Sequence, residues 1–163
     1  MNEVIVIIIL ILVNGIFSMS EIAVISARKS SLSTDVKKGS KAADTALKLA
    51  NQPEKFLSTV QIGITLIGIL TGIYSGAKLA DSFTEILVDW NGPKTYAPAI
   101  SQTTIVIVVT YLTILFGELV PKRLGLSSAE RIAKIIARPM QLLSIIAAPF
   151  VWILSHSTSF IFN

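Results

Sequence analysis

Residues 4–27 read VIVIIILILVNGIFSMSEIAVISA, an apolar run that is unbroken from Val4 to Val13 and becomes polar at Ser18, Ser20 and Glu21. A helix needs about 20 predominantly apolar residues to cross a hydrocarbon core of roughly 30 Å, and this stretch is long enough. Its flanks are the reverse of a secretory leader: Asn2 and Glu3 precede it, and Arg28 and Lys29 follow it. We therefore read it as a retained membrane helix. Two more stretches qualify, from about Phe56 to Ser75 and from about Ile100 to Val120. A fourth, from about Ile135 to Phe162, is interrupted by Pro139 and Pro149 and carries Arg138, Gln141 and His156.

Composition agrees with a membrane setting. Of 163 residues, 52% are hydrophobic and 15% charged, and the mean hydropathy is +0.71, too apolar for a soluble domain of this size. The chain has no cysteine, which excludes disulfides, thiolate metal sites and cysteine nucleophiles. Its single histidine, His156, removes most zinc and Ser-His-Asp chemistry. The net charge of +4 sits in blocks that read as orientation signals, not as a nucleic-acid surface. Arg28 to Lys55 holds seven Lys and Arg, Lys122 to Arg138 holds five, and Lys78 to Lys94 holds two. By the positive-inside rule the first two of these regions are cytoplasmic and the N-terminus faces out.

The fourth stretch begins on the cytoplasmic side, and Pro149 removes a helix hydrogen bond near its middle. A proline-broken hairpin or in-plane belt, with a cytoplasmic C-terminus, is the expectation. Ser40 to Ala50 reads as a short amphipathic helix with Ala43, Ala46, Leu47 and Ala50 on one side. Trp90, Gly92, Pro93, Tyr96 and Pro98 suggest an external turn with interfacial aromatics. The expected fold is an all-α membrane protein forming a single transmembrane domain over residues 1–163. It has three transmembrane helices, at about 4–27, 56–75 and 100–120, plus a proline-broken cytoplasmic juxtamembrane helical belt at about 128–162. Membrane lipids are the expected surroundings, and nucleic acid is not an expected partner.

Ionisable groups at membrane depth are expensive and mark candidate sites. There are two, Glu21 and Glu118. At about 1.5 Å per residue, Ser20 lies roughly 24 Å along the first helix from Val4, and Gly117 roughly 25 Å along the third from Ile100. Ser58, Thr59, Gln61 and Thr65 lie near the cytoplasmic start of the second. All three polar clusters thus fall in one layer. Pro121 has no N–H, so the carbonyl four residues earlier, that of Gly117, loses its α-helical partner. A backbone oxygen and a carboxylate beside serine hydroxyls make a hard oxygen site, suited to magnesium or calcium.

Ordinary roles are open to the same residues. Ser18 and Ser20 can bond back to their own helix. Glu21 can pair with Lys122, Arg123 or Arg28, and Glu118 can sit at the interface. Gln61, Thr65, Gly68, Gly72 and Gly76 share one face of the second helix. Its small-xxx-small steps, Gly68 to Gly72 to Gly76, suit close packing within the protomer or across a dimer. His156, one turn after Trp152, reads as interfacial. Enzyme chemistry is not expected, because Ser20 and Glu21 have no convincing histidine or second intramembrane acid to complete a catalytic set.

Three runs carry a resemblance: Phe17-Ser-Met-Ser-Glu-Ile-Ala23, Gln61-Ile-Gly-Ile-Thr-Leu66 and Phe116-Gly-Glu-Leu-Val-Pro-Lys-Arg123. Together they resemble the signatures of the CNNM/CorC (cyclin M) transmembrane domain. The resemblance implies a homodimer of the inner or plasma membrane that exports Mg2+, with Na+ as a candidate counter-ion. It also implies a cytoplasmic CBS-type region, absent from this chain, in the longer protein. Carried onto matching positions, the metal ligands implied are Ser18, Ser20, Gly117 and Glu118. The second helix departs from the pattern: many relatives have asparagine where this chain has Ile64 and Gly68. Ser58, Thr59, Gln61 and Thr65 are the oxygens available to compensate. Two alternatives stand beside magnesium efflux: export of another cation such as a polyamine, and a Mg2+-sensing regulatory protein without flux.

Overall fold

The computed structural model describes residues 2–90 and 94–162, the side chain of Ala77 aside, and contains only helices and short connections among them. The helices are α1 (Asn2–Ser26), α2 (Lys29–Lys37), α3 (Lys41–Asn51), α4 (Pro53–Tyr74), α5 (Ala80–Asp89), α6 (Ala97–Ile114), α7 (Val120–Ser127) and α8 (Ala129–Phe162). Two π-helical turns, Ser75–Leu79 and Leu115–Leu119, join α4 to α5 and α6 to α7 without a break in the helical path. Among the described residues, four helical paths are long and apolar enough to cross a membrane: α1, α4, Ala97–Ser127 and α8.

The first helix matches its expected span. The second and third run further than expected, to Asp89 and to Ser127, because a π turn lets a helix absorb one extra residue and continue. The proline-broken belt is corrected: α8 runs unbroken through Pro139 and Pro149, so four apolar helices stand where three and a broken segment were expected. In an apolar setting a backbone that leaves the helix loses every local partner. Giving up one bond at each proline is the cheaper outcome. Of the expected external turn, Trp90 ends α5 and Tyr96 precedes α6. Gly92 and Pro93 lie outside the described residues, and Pro98 falls within the first turn of α6.

The chain divides into two compact units, with boundaries after Ile16, Ile64 and Val120. The first contains the opening of α1, the end of α4, α5, α6 and both π turns. Its small core is Ile7, Ile11 and Val109, with Tyr74, Leu79, Ile105 and Leu112 against it. The long apolar side chains elsewhere on this unit, Ile8, Leu12, Ile69 and Ile107 among them, point outward, as expected where lipid is the solvent.

The second unit contains the end of α1, α2, α3, the start of α4, α7 and α8, and holds the larger core. Ser40 caps α3, accepting from the Ala43 N–H at 3.2 Å. The buried face of α3 is Ala43, Ala46, Leu49 and Ala50, so Leu49 occupies the place expected for Leu47, which is only partly buried. Against it α8 presents Ala129, Ala133 and Ala137 in every fourth position, with Ile136 and Met140. Small side chains on both helices permit a close approach. Two cross-links fasten this unit: Lys134 Nζ to Asp35 at 2.6 Å, and Arg28 Nε to Glu130 at 2.8 Å.

Candidate functional site

In the first unit the site is built around one missing N–H. Pro121 cannot donate to Gly117, and the helix responds by widening: Leu115–Leu119 is π-helical, with the Val120 N–H on the Leu115 carbonyl. Such turns recur at functional positions because they expose backbone oxygen inside an otherwise closed ladder. Gly117 is buried and Glu118, next to it, is partly exposed. Sequence reasoning expected the Gly117 carbonyl to lack a partner, and this is corrected: Asn14 Nδ2 donates to it at 3.1 Å. A Cβ at Gly117 would lie 3.0 Å from that same nitrogen. Glycine is what allows α1 to come this near.

Asn14 was missed from sequence. It lies on the buried stripe Ile7, Ile11, Asn14, Ser18 of α1, and is itself 4% exposed. The signal was a lone amide ending ten apolar residues, with its partner 103 positions away. Three buried side-chain oxygens of this unit have no hydrogen-bond partner among the described residues: Asn14 Oδ1, Ser101 Oγ and Thr113 Oγ1. Leaving a buried polar atom unpaired costs about 1–3 kcal/mol, so each calls for an explanation. A groove of about 260 Å³ runs between α4 and α6, lined by Gly68, Gly72, Thr71, Ser75, Thr110 and Thr113.

In the second unit, Ser18 and Ser20 are fully buried. The Ser18 hydroxyl has no partner among the described residues, so it does not bond back to its own helix. The Phe17 to Ala23 segment is held by two glycines. A Cβ on Gly63 would meet the Phe17 ring at 2.6 Å, and one on Gly125 would meet the Met19 carbonyl at 2.8 Å. Arg28, offered to Glu21 by the sequence, pairs with Glu130 instead, and Glu21 has no ion pair among the described residues.

The second-helix candidates separate. Thr59 is buried, donates to the Lys55 carbonyl at 2.8 Å and lies 3.5 Å from Ser144 Oγ, which makes it a packing residue. Ser58 lines a cleft of about 540 Å³ with Glu54, Leu57, Leu154, Ser155 and Thr158. Gln61 and Thr65 are on exposed positions of α4. Gly68 and Gly72 are exposed as well, and a Cβ added at Gly68, Gly72 or Gly76 meets nothing within 4 Å. His156 stacks on Trp152, ring centroids 4.9 Å apart, as an exposed aromatic pair. No cluster of three or more His, Asp or Glu occurs among the described residues.

Comparison with known proteins gives a consistent result. The sequence model of the cyclin M transmembrane N-terminal domain matches residues 5–163. The UPF0053 protein sll0260 of Synechocystis is 49% identical over 92% of this chain and 34% of its own length. UPF0053 protein YhdP of Bacillus subtilis is 31% identical over 91% of the chain and 34% of its own length. A protein of Escherichia coli K12 named polyamine export protein is 32% identical over the whole chain and 36% of its own length. The chain thus spans about a third of the length of the relatives it matches.

Proposed function

The chain belongs to the cyclin M transmembrane family, and from that premise we propose that it is the membrane portion of a cation exporter with Mg2+ as its leading substrate. The observation that carries the reading is the π turn at Leu115–Leu119, which sets the Gly117 carbonyl and the Glu118 carboxylate on consecutive residues of an apolar helix. Glu118 offsets the ion's charge, and the carbonyl replaces a water of hydration. Magnesium gives up water reluctantly, so its partners must offer near-ideal oxygen geometry. The family resemblance adds Ser18 and Ser20 to this set, with Ser58, Gln61 and Thr65 as further oxygens; Thr59 is spent on its own helix. Entry is from the cytoplasm, with the N-terminus outside and Na+ as candidate counter-ion. A second copy of the chain packs on the open Gly68–Gly72 face.

A second reading, export of a polyamine, has its own support. A relative named for polyamine export matches the entire chain. Ile64 and Gly68 stand where many family members have asparagine, which weakens the case for a site that strips water from magnesium.

Flux in proteoliposomes containing the full-length protein tests both. Mg2+ movement in wild type, lost in Glu118→Gln, is the expected result. Putrescine movement without Mg2+ movement moves the assignment to the second reading. Movement of neither by folded protein leaves the sensing role.

A further inference from the structure

The four charged residues of α8 point two ways. Glu130 and Lys134 reach back into the second unit, to Arg28 at 2.8 Å and Asp35 at 2.6 Å. Arg131 and Arg138 are exposed and make no ion pair among the described residues. We propose that the outward face of α8 at Arg131, Ile135 and Arg138 binds the headgroup of an acidic phospholipid, whose acyl chains run along the apolar continuation of the same face.

Helical geometry fixes the direction of that face. At about 100° per residue, Arg131 and Arg138 lie two turns apart and within roughly 20° of each other. The side chains that α8 buries, Ala133, Met140 and Ser144 among them, gather on the opposite side by the same count. Ile135, on the turn between the two arginines, is 67% exposed.

The stripe continues beyond Arg138 as Leu142, Ile145 and Ile146, which are all more than 60% exposed. Water suits the arginines and not this continuation; hydrocarbon suits the continuation and leaves two charges unsolvated. A lipid meets both demands, with phosphate at the guanidinium groups and chains against isoleucine and leucine. Arginine is well made for the first contact, since its planar fork gives a phosphate two parallel N–H donors. Its aliphatic stem lets the charge stay at headgroup level while the helix backbone lies deeper. The sign of the lipid follows from charge: the second unit carries twelve Lys and Arg against five Asp and Glu, a field that draws anions.

Native mass spectrometry of the full-length protein in detergent, titrated with phosphatidylglycerol and separately with phosphatidylcholine, tests this. Wild type is expected to take up phosphatidylglycerol in preference. The double variant Arg131→Gln, Arg138→Gln is expected to weaken that uptake by roughly tenfold or more. Lys37→Gln with Lys38→Gln removes the same charge from exposed positions of the same unit and is expected to leave uptake nearly unchanged. Equal loss in the two double variants would show a diffuse attraction without a site, and equal uptake of both lipids would show no headgroup recognition; either overturns the proposal, as does unchanged uptake in the arginine variant. A photoreactive benzoylphenylalanine in place of Ile135, in native membranes, gives a readout that needs neither arginine replaced. Capture of lipid supports the proposal. Capture of protein, whether a second copy or another part of the full-length chain, assigns the face to that partner and overturns it.

Discussion

Gly125 has no room for a methyl group. The carbonyl of Met19 would lie 2.8 Å from its Cβ, and a backbone atom inside α1 cannot swing aside. Gly125→Ala is expected to cost about 1–3 kcal/mol, the usual range for overpacking, read as a lower unfolding temperature in detergent. Gly63 is different in kind, since the atoms facing it belong to the Phe17 ring, the end of a side chain. At this scale the sequence disclosed one side of the contact at the π turn. Pro121 and Gly117 could be paired on paper because a missing N–H is covalent chemistry at a fixed spacing. Asn14 could not, because nothing along the chain says which of many buried carbonyls an isolated amide will reach.

Among the elements, α2 and α8 are tied by the ion pair of Asp35 and Lys134. The hydrogen bond from Lys134, then its charge, holds the Asp35 carboxyl below the usual carboxylate range. A carboxylate with a depressed folded-state pKa contributes stability that is fully present above its unfolded value of about 3.9 and disappears as pH falls through the folded one. Asp35→Asn should therefore lower the unfolding temperature at neutral pH. The gap to wild type should close as the pH falls below the usual carboxylate range. α3 was legible, since Ser40 and the alanine spacing state both its start and its buried face. α2 was not read as a helix because it is polar and has only Leu32 fully buried. α8 was misread because proline was weighed as a breaker without weighing what an apolar medium does to an unravelled backbone.

For the whole molecule, the face of α4 bearing Gly68 and Gly72 is the one to probe. A Cβ there meets nothing within 4 Å, and the groove beside it against α6 leaves about 260 Å³ for a larger side chain, so a substitution should leave the protomer's fold intact and act on association. If a second copy packs on this face as proposed, Gly72→Leu shifts the protein from dimer to monomer with little change in helical content. Mass photometry with circular dichroism checks this, and an unchanged dimer would place the second copy elsewhere. The apolar helices, the basic blocks and the motif spacing announced a membrane protein of this family. The division into two units was not legible, because α1 and α4 each belong to both, and a continuous helix leaves no mark in composition where its packing partners change.

The π turn at Leu115–Leu119 also changes how this part of the chain must be counted. It holds one residue more than an α-helical path needs, and one residue is about 100° of rotation. Everything after it is turned by that angle relative to an uninterrupted helix, so Lys122 and Arg123 do not share the phase of the apolar stripe that precedes them. A single-residue deletion inside the turn would leave hydropathy and span length almost unchanged while re-aiming each side chain beyond it. Alignments of relatives across this segment should therefore tolerate substitution far better than a change in length.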